Sequence, residues 1–395
     1  MTKSSKFKTI LILGSLTALG PFSIDMYLPG FSGIARDLNT SVGKVAMTLS
    51  SYFIGISAGQ LLYGPLLDRF GRKKPLFLGL MVYIIASLGC VFVNDISLFI
   101  GLRFIQAVGS CAAAVASVTM VRDLFPPKEM PKVFAKLMLV VGLSPMLAPT
   151  IGGYVTEGFG WQAVFFILMV LGIVILAASQ LGLPTTYTPD VTLSLKPKPI
   201  IKNFISVIQK PQFYTYALTG AISFSGLFTY VAASPILFMH IYDVDAKTYG
   251  WIFAFMSVSF IGASQLNSAL LRKFSSEQMV FAALIMQSII VLVFLIASLT
   301  GQLGLYETIA LLFLFLGCLG ISNPNTAGLS LAPFTKNTGS ASALMGALQL
   351  GLGAIASFTV SEFVVDTITP MVVILTTTTL SALVFLTLGK RNIKH

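Results

Sequence analysis

Long apolar runs separated by short polar stretches repeat from one end of the chain to the other. Each run of roughly 18 to 25 residues is long enough, at about 1.5 Å per residue, to cross ~30 Å of hydrocarbon as a helix. About twelve spans are predicted: roughly 8–30, 42–66, 75–94, 96–120, 134–156 and 161–184, then 212–238, 248–270, 278–299, 304–326, 338–361 and 369–389. The runs are continuously apolar rather than alternating, which excludes a membrane β-barrel. The expected fold class is an all-α membrane protein.

The longest hydrophilic stretch, residues 185–211, divides these spans six and six. The predicted organisation is an N-terminal six-helix bundle at 1–184, a cytoplasmic linker at 185–211 and a C-terminal six-helix bundle at 212–395. Within the linker, Ile200, Ile201, Phe204, Ile205 and Ile208 share one helical face, as expected of a short amphipathic helix in the membrane interface. The halves echo each other weakly. Tyr27, Leu28 and Pro29 close the first span, as Ala233, Ser234 and Pro235 close the seventh, and the basic loop after span two has a reduced counterpart at Leu271–Phe274. Duplicated halves are how secondary transporters build alternating access, with a site near the midplane.

Composition agrees with lipid as the main solvent: 395 residues, 55% hydrophobic and 10% charged, with a mean hydropathy of +0.89. The net charge of +11 changes meaning once the cations are placed. Twenty-one of the 25 Lys and Arg residues fall at the two termini and in alternate loops, all on one side of the predicted spans. Arg36, Lys44 and Lys247 lie on the other side and Arg103 lies inside a span. By the positive-inside rule both termini are expected in the cytoplasm, and the basic balance needs no nucleic-acid partner. Lys3, Lys6 and Lys8 ahead of a full-length span read as a retained first helix rather than a cleaved signal. Cys90, Cys111 and Cys318 fall inside spans and read as packing residues.

Several chemistries have no residues to carry them. The chain has no G-x-x-x-x-G-K-[ST] loop for nucleotide phosphates, and its two histidines, His240 and His395, join no cluster of metal ligands. No paired catalytic carboxylates or nucleophile and base stand in the spans, so an enzyme is not expected. No catalytic residue, metal site or cofactor is assigned. The energy source expected is an ion gradient or the substrate's own gradient.

Between spans two and three stand Gly64, Asp68, Arg69, Gly71, Arg72, Lys73 and Lys74. Gly71 permits a tight turn, and Asp68 at a helix end can pair with a cation or a neighbouring helix terminus. This loop resembles the signature of the major facilitator superfamily at every defining position. The resemblance implies two six-helix bundles and, for Asp68 with its basic neighbours, a charge lock that breaks as the bundles rock. Arg103, Gln106, Ala107 and Gly109 in span four resemble the superfamily's second motif, with Ala107 where glycine is usual. Ser144, Ala148, Pro149, Gly152 and Gly153 in span five resemble its antiporter motif, with Ser144 and Ala148 replacing two glycines. Pro149, Gly152 and Gly153 also suit plain close packing and a kink. Asp25, Tyr27 and Pro29, with Asn323 and Asn325 in span ten and Gly339, Gly346 and Gln349 in span eleven, resemble the bicyclomycin-resistance (Bcr/CflA) branch of drug:proton antiporters. That likeness covers nearly the whole chain and implies proton-driven efflux of lipophilic small molecules.

A charge retained at mid-bilayer costs roughly 2.5 to 3.5 kcal/mol, which makes each one a functional candidate. Two qualify, Asp25 and Arg103, both at roughly 8 to 11 Å below the outer surface by residue count. Their similar depth allows a pair. In the major facilitator architecture spans one, four, seven and ten line the central cavity. Asp25 is then expected to carry the coupling proton and Arg103 to tune it; a hydrated helix end for Asp25 and a static brace for Arg103 are the structural alternatives. Tyr27, Gln106, Tyr230, Asn323 and Gln349 are placed toward the cavity, where each can equally act as helix-packing glue. The expected protein is a proton-coupled exporter of mostly lipophilic small molecules in the bacterial inner membrane, a monomer with lipid and protons as its other partners. An exporter of one metabolite, a nutrient symporter and a receptor or scaffold that moves nothing remain the rivals.

Overall fold

A computed structural model describes residues 3–126, 129–184, 204–334, 338–363, 367–391 and 393. Twelve helical spans are long and apolar enough to cross a membrane, and no strand occurs among the described residues. In the first half α1 (Lys3–Asp25), a 3-10 turn (Leu28–Gly30) and α2 (Phe31–Asp37) share one span. They are followed by α3 (Val42–Phe70), α4 (Lys73–Val91), α5 (Ile96–Leu124), α6 (Met130–Phe159) and α7 (Trp161–Gly182). The second half holds α8 (Pro211–Pro235), extended by a π-helical segment (Ile236–Ile241), then α9 (Ala246–Leu270), α10 (Ser276–Leu299), α11 (Leu305–Leu331), α12 (Thr338–Phe363) and α13 (Thr369–Lys390). Every predicted span is present, several extended by a turn.

The helix ends follow local chemistry. Asp95 caps α5 by accepting from the Leu98 amide, and Ser275 and Gln278 form a reciprocal capping box on α10. Gly71, at φ +81°, turns the chain between α3 and α4. The echo of the halves is visible in the backbone. The first span of each half departs from α geometry near a proline, Pro29 in the 3-10 turn that follows Asp25 and Pro235 just before the π segment. Each is followed by a left-handed residue, Asn39 in one half and Asp243 in the other.

Two compact units divide the chain. The first comprises Met1–Thr40, Ser51–Leu195 and Ala246–Trp251; the second comprises Ser41–Ser50, Lys196–Asp245 and Ile252–His395. One of their boundaries in sequence falls inside the predicted linker, whose residues 185–203, with Ile200 and Ile201, lie outside the described residues. A helical turn at 204–208 buries Val207 against Phe213, Ala217 and Ala341 of the second unit and leaves Ile205 and Ile208 exposed. In the first unit α1 packs on α5, α6 and α7, and α4 on α5 and α7. In the second unit α8 is the hub, touching α11, α12 and α13, while α10 packs on α11 and α13.

Candidate functional site

Arg103 is the largest fully buried side chain of the first unit. It stands on α5, inside a helix bundle where no carboxylate reaches it among the described residues. Its charge is spread instead over dipoles and rings. Nη2 donates to the Ser23 carbonyl of α1 at 2.9 Å and Nη1 to Oε1 of Gln106 one turn on. The guanidinium lies 4.3 Å from the ring centres of both Tyr27 and Tyr52, and 5.6 Å from that of Phe165. Desolvated cation–π contacts of this kind are worth about 2 kcal/mol each.

A second layer fixes those partners. Gln106 Nε2 donates to Ser87 Oγ at 2.8 Å, and Ser87 donates to the Tyr83 carbonyl. The Tyr83 and Ser23 hydroxyls share a hydrogen bond of 2.8 Å, as do those of Tyr52 and Ser110. Tyr27 packs against Phe31 and Phe165, which continue through Phe99 to Trp161. Tyr27 and Gln106, expected on a cavity wall, are therefore placed around the guanidinium in the interior of the unit. The physical reason is that a buried cation without a counter-ion recruits every neighbouring ring face and acceptor.

Asp25 is the last residue of α1, where the helix gives way to the 3-10 turn. Its side chain is buried, and no donor or cation reaches it among the described residues. The pairing that similar depth allowed between Asp25 and Arg103 does not occur: Arg103 binds the backbone two residues earlier and leaves the carboxyl alone. Gly152 of α6 makes the approach to this break possible, since a Cβ there would meet the Met26 carbonyl oxygen at 1.9 Å. A Cβ on Gly153 would meet the Ala246 carbonyl oxygen at 2.5 Å, within the same unit. Pro149 lies inside α6 without ending it.

The loop after α3 builds an ion cluster at one end of the first unit. Arg72 reaches Asp68 at 2.6 Å and Asp123 of α5 at 2.7 Å. Burial alone would lower the Arg72 pKa, but its bonds to Asp123 and Asp68 outweigh this and raise it above the ordinary arginine value. Lys73 donates to the Gln180 carbonyl at the end of α7, and Arg69 lies beside the Phe70 ring. Gly64 has open space around it. Asp123, the more buried of the two acids, was not singled out from sequence. Its signal was an acid in the last turn of a span, beside the basic loop in the sequence pattern.

The polar residues predicted in the second unit separate into two kinds. Asn323 of α11 and Gln349 of α12 are half-buried and joined by a 3.0 Å bond from Gln349 Nε2 to Asn323 Oδ1. Asn325, also half of the predicted motif, is buried and bonds Asn267 of α9 at 2.7 Å. Tyr230 is buried with its ring against Phe253. Among the described residues no group of three or more His, Cys, Asp and Glu converges as metal ligands would.

Comparison with known proteins bears on the fold as a whole. A model of the Major Facilitator Superfamily matches residues 13–388. The chain is 33% identical over 393 residues to a bicyclomycin resistance protein homolog of Haemophilus influenzae, covering 99% of this chain and 98% of that one. It is 30% identical over 359 residues to the MFS-type transporter YdgK of Bacillus subtilis, covering 90% and 89%. It is 29% identical over 338 residues to the multidrug resistance protein MdtL of Escherichia coli, covering 85% and 84%. Among solved structures, a D-xylose–proton symporter superposes with a TM-score of 0.76 at 16% identity, over 96% of this chain and 97% of that chain. A bacterial homolog of the lysosomal transporter Spinster superposes at 0.74 and 13% identity, over 98% and 96%.

Proposed function

Because the chain belongs to the Major Facilitator Superfamily, and is therefore a multi-pass transporter of small molecules rather than an enzyme, we propose that it is a proton-coupled exporter of lipophilic compounds. In this reading it works as a monomer by alternating access, with both termini in the cytoplasm and the proton gradient in place of any cofactor. The observation that carries the reading is Asp25: a buried carboxyl at a helix break, bonded to nothing among the described residues, while Arg103 spends two of its nitrogens on the Ser23 carbonyl and Gln106. Proton exchange at such a group changes a charge in low dielectric, where neighbours feel it strongly. Because Arg103 is bound to the backbone and rings, Asp25 can gain and lose a proton without taking the brace apart.

The names of the relatives, bicyclomycin resistance and multidrug resistance, support drugs and similar compounds as substrates. The half-buried Asn323–Gln349 pair supplies polar groups for such a ligand in the second unit. The Arg72 cluster serves as the latch, holding one state until its ion pairs open.

The test is substrate efflux in everted vesicles with and without a proton gradient, for wild type and Asp25→Asn. Wild type is expected to move substrate and release protons together. Asp25→Asn is expected to reach the membrane at normal levels and to lose gradient-driven transport. Proton-coupled transport by Asp25→Asn at wild-type stoichiometry refutes the assignment.

A further inference from the structure

The hub helix of the second unit has a polar face that protein partners do not satisfy. Thr215, Thr219 and Ser223 recur every fourth residue on α8, one above another at about 6 Å intervals. Facing them are Gln287 of α10 and Thr379 of α13. All five side chains are at most 3% exposed. Thr215 Oγ1, Thr219 Oγ1, Gln287 Nε2 and Thr379 Oγ1 are buried with no hydrogen-bond partner in the protein.

The helix registers bring these atoms together. Ser298 meets Thr369, Thr376 donates to the Val291 carbonyl and Lys390 approaches Glu277, so α10 and α13 run antiparallel with Gln287 level with residues 379–380. On α8, Thr215 lies against Gly389 and Gly226 against Leu375, which sets Ser223 at the level of Thr379. Ser223 Oγ donates to Gln287 Oε1 at 3.2 Å. Ser223 and Gln287 therefore meet, and Thr379 stands level with both, one turn from Leu375 on the face of α13 that Leu375 and Gly389 turn toward α8. Thr219 and Thr215 continue the polar file toward the helix end at Pro211. In the other direction the file stops where Gly226 meets Phe315 and Leu375.

We infer that this seam binds ordered water, one molecule at the Ser223–Gln287–Thr379 junction and others along Thr219 and Thr215. The open valences select the ligand. Gln287 offers a donor, which repels a cation, and no basic residue lines these five positions to hold an anion. Hydroxyls that can donate or accept, beside an amide donor, match a small neutral molecule that does both. Buried water typically makes about three hydrogen bonds to groups of this kind. The file ends at an apolar plug, so it hydrates the α8 interface and conducts nothing across the unit. The apolar cluster of Tyr216, Val280, Leu284, Ala382 and Leu386 lies alongside it.

X-ray radiolytic labelling of the full chain in nanodiscs tests this, because radicals formed on bound water modify side chains that bulk solvent cannot reach. Leu284 and Leu386, fully buried next to the seam, are expected to label several-fold faster than Leu168 and Leu319, equally buried on helices that carry none of these five residues. The double variant Gln287→Leu/Thr379→Val is expected to bring Leu284 down toward the reference rate. Labelling of wild-type Leu284 and Leu386 at the reference rate overturns the inference, whether or not the variant folds. A high-resolution map in which Gln287 Nε2 donates to Ser223 and Thr379 donates to Gln287 Oε1, with no water between them, also overturns it.

Discussion

Replacing Arg103 by lysine keeps the charge and removes the shape that the site is built around. The planar guanidinium lies 4.3 Å from each of two tyrosine rings while two of its nitrogens donate to Ser23 and Gln106. An ammonium is a compact, strongly hydrated point charge that cannot lie flat between two rings and span both acceptors at once. Losing one charge-assisted hydrogen bond costs roughly 1.5–3 kcal/mol, and a weakened ring contact up to about 2 kcal/mol more. Arg103→Lys is therefore expected to lose about 2–4 kcal/mol of stability, a large share of the roughly 5–15 kcal/mol margin of an ordinary fold. Thermal unfolding in detergent, compared with Tyr52→Phe and Tyr52→Leu, separates the causes. Tyr52→Phe keeps the ring and loses the hydroxyl's bonds to Ser110 and Ser23, worth about 1 kcal/mol each at most. Tyr52→Leu removes the ring face as well and is expected to approach the Arg103→Lys loss. Wild-type melting of Arg103→Lys, or equal melting of the two Tyr52 variants, refutes the account of how this cation is stabilised.

Asp68 and Asp123 both bind Arg72, yet their side chains are 45% and 17% exposed, so neutralising them is expected to differ in effect. Asp123→Asn should lose roughly 1.5–3 kcal/mol and Asp68→Asn at most about 1 kcal/mol in the same melting assay; the reverse order contradicts the geometry. Gly152→Ala places a methyl carbon onto the Met26 carbonyl oxygen and is expected to cost about 1–3 kcal/mol or to block insertion of α6 beside α1. Gly64→Ala meets no neighbouring atom and serves as the control for helix substitution. Equal melting temperatures for the two alanine variants count against close packing at the α1 break.

The fold was legible because lipid makes a strong demand on sequence. Each span must satisfy its backbone internally, so apolar length alone marks a helix. What hydropathy averages conceal is the end of the first span. Residues 8–30 read as one uniform helix, whereas α1 stops at Asp25 and the chain resumes as α2 after the turn at Pro29. Both buried charges were also legible, because a charge within an apolar run is conspicuous. Their partners were not: hydropathy gives depth along the membrane normal, while partnership depends on rotation about the helix axis. Asp25 and Arg103 share a depth and do not meet, and the side chains that do surround Arg103 come from α3, α5, α7 and the turn after α1. Asp123 was missed for the same reason, since its role comes from the rotation of α5 toward Arg72.

The separation of the two charges has a mechanistic consequence. A carboxylate tightly paired to an arginine is held ionised, and protonating it requires breaking a strong contact. Here the guanidinium donates to an amide and a backbone carbonyl and lies against ring faces, none of them contributed by Asp25, and its Nε stays unpartnered. The brace therefore keeps its charge and geometry whatever the state of Asp25. Conversely, a change of charge at Asp25 acts on its nearest structure, the α1 break where Met26 touches Gly152 of α6. In the proposed cycle that packed break is where protonation is converted into movement, and Arg103 is the fixed point around which the first unit stays folded.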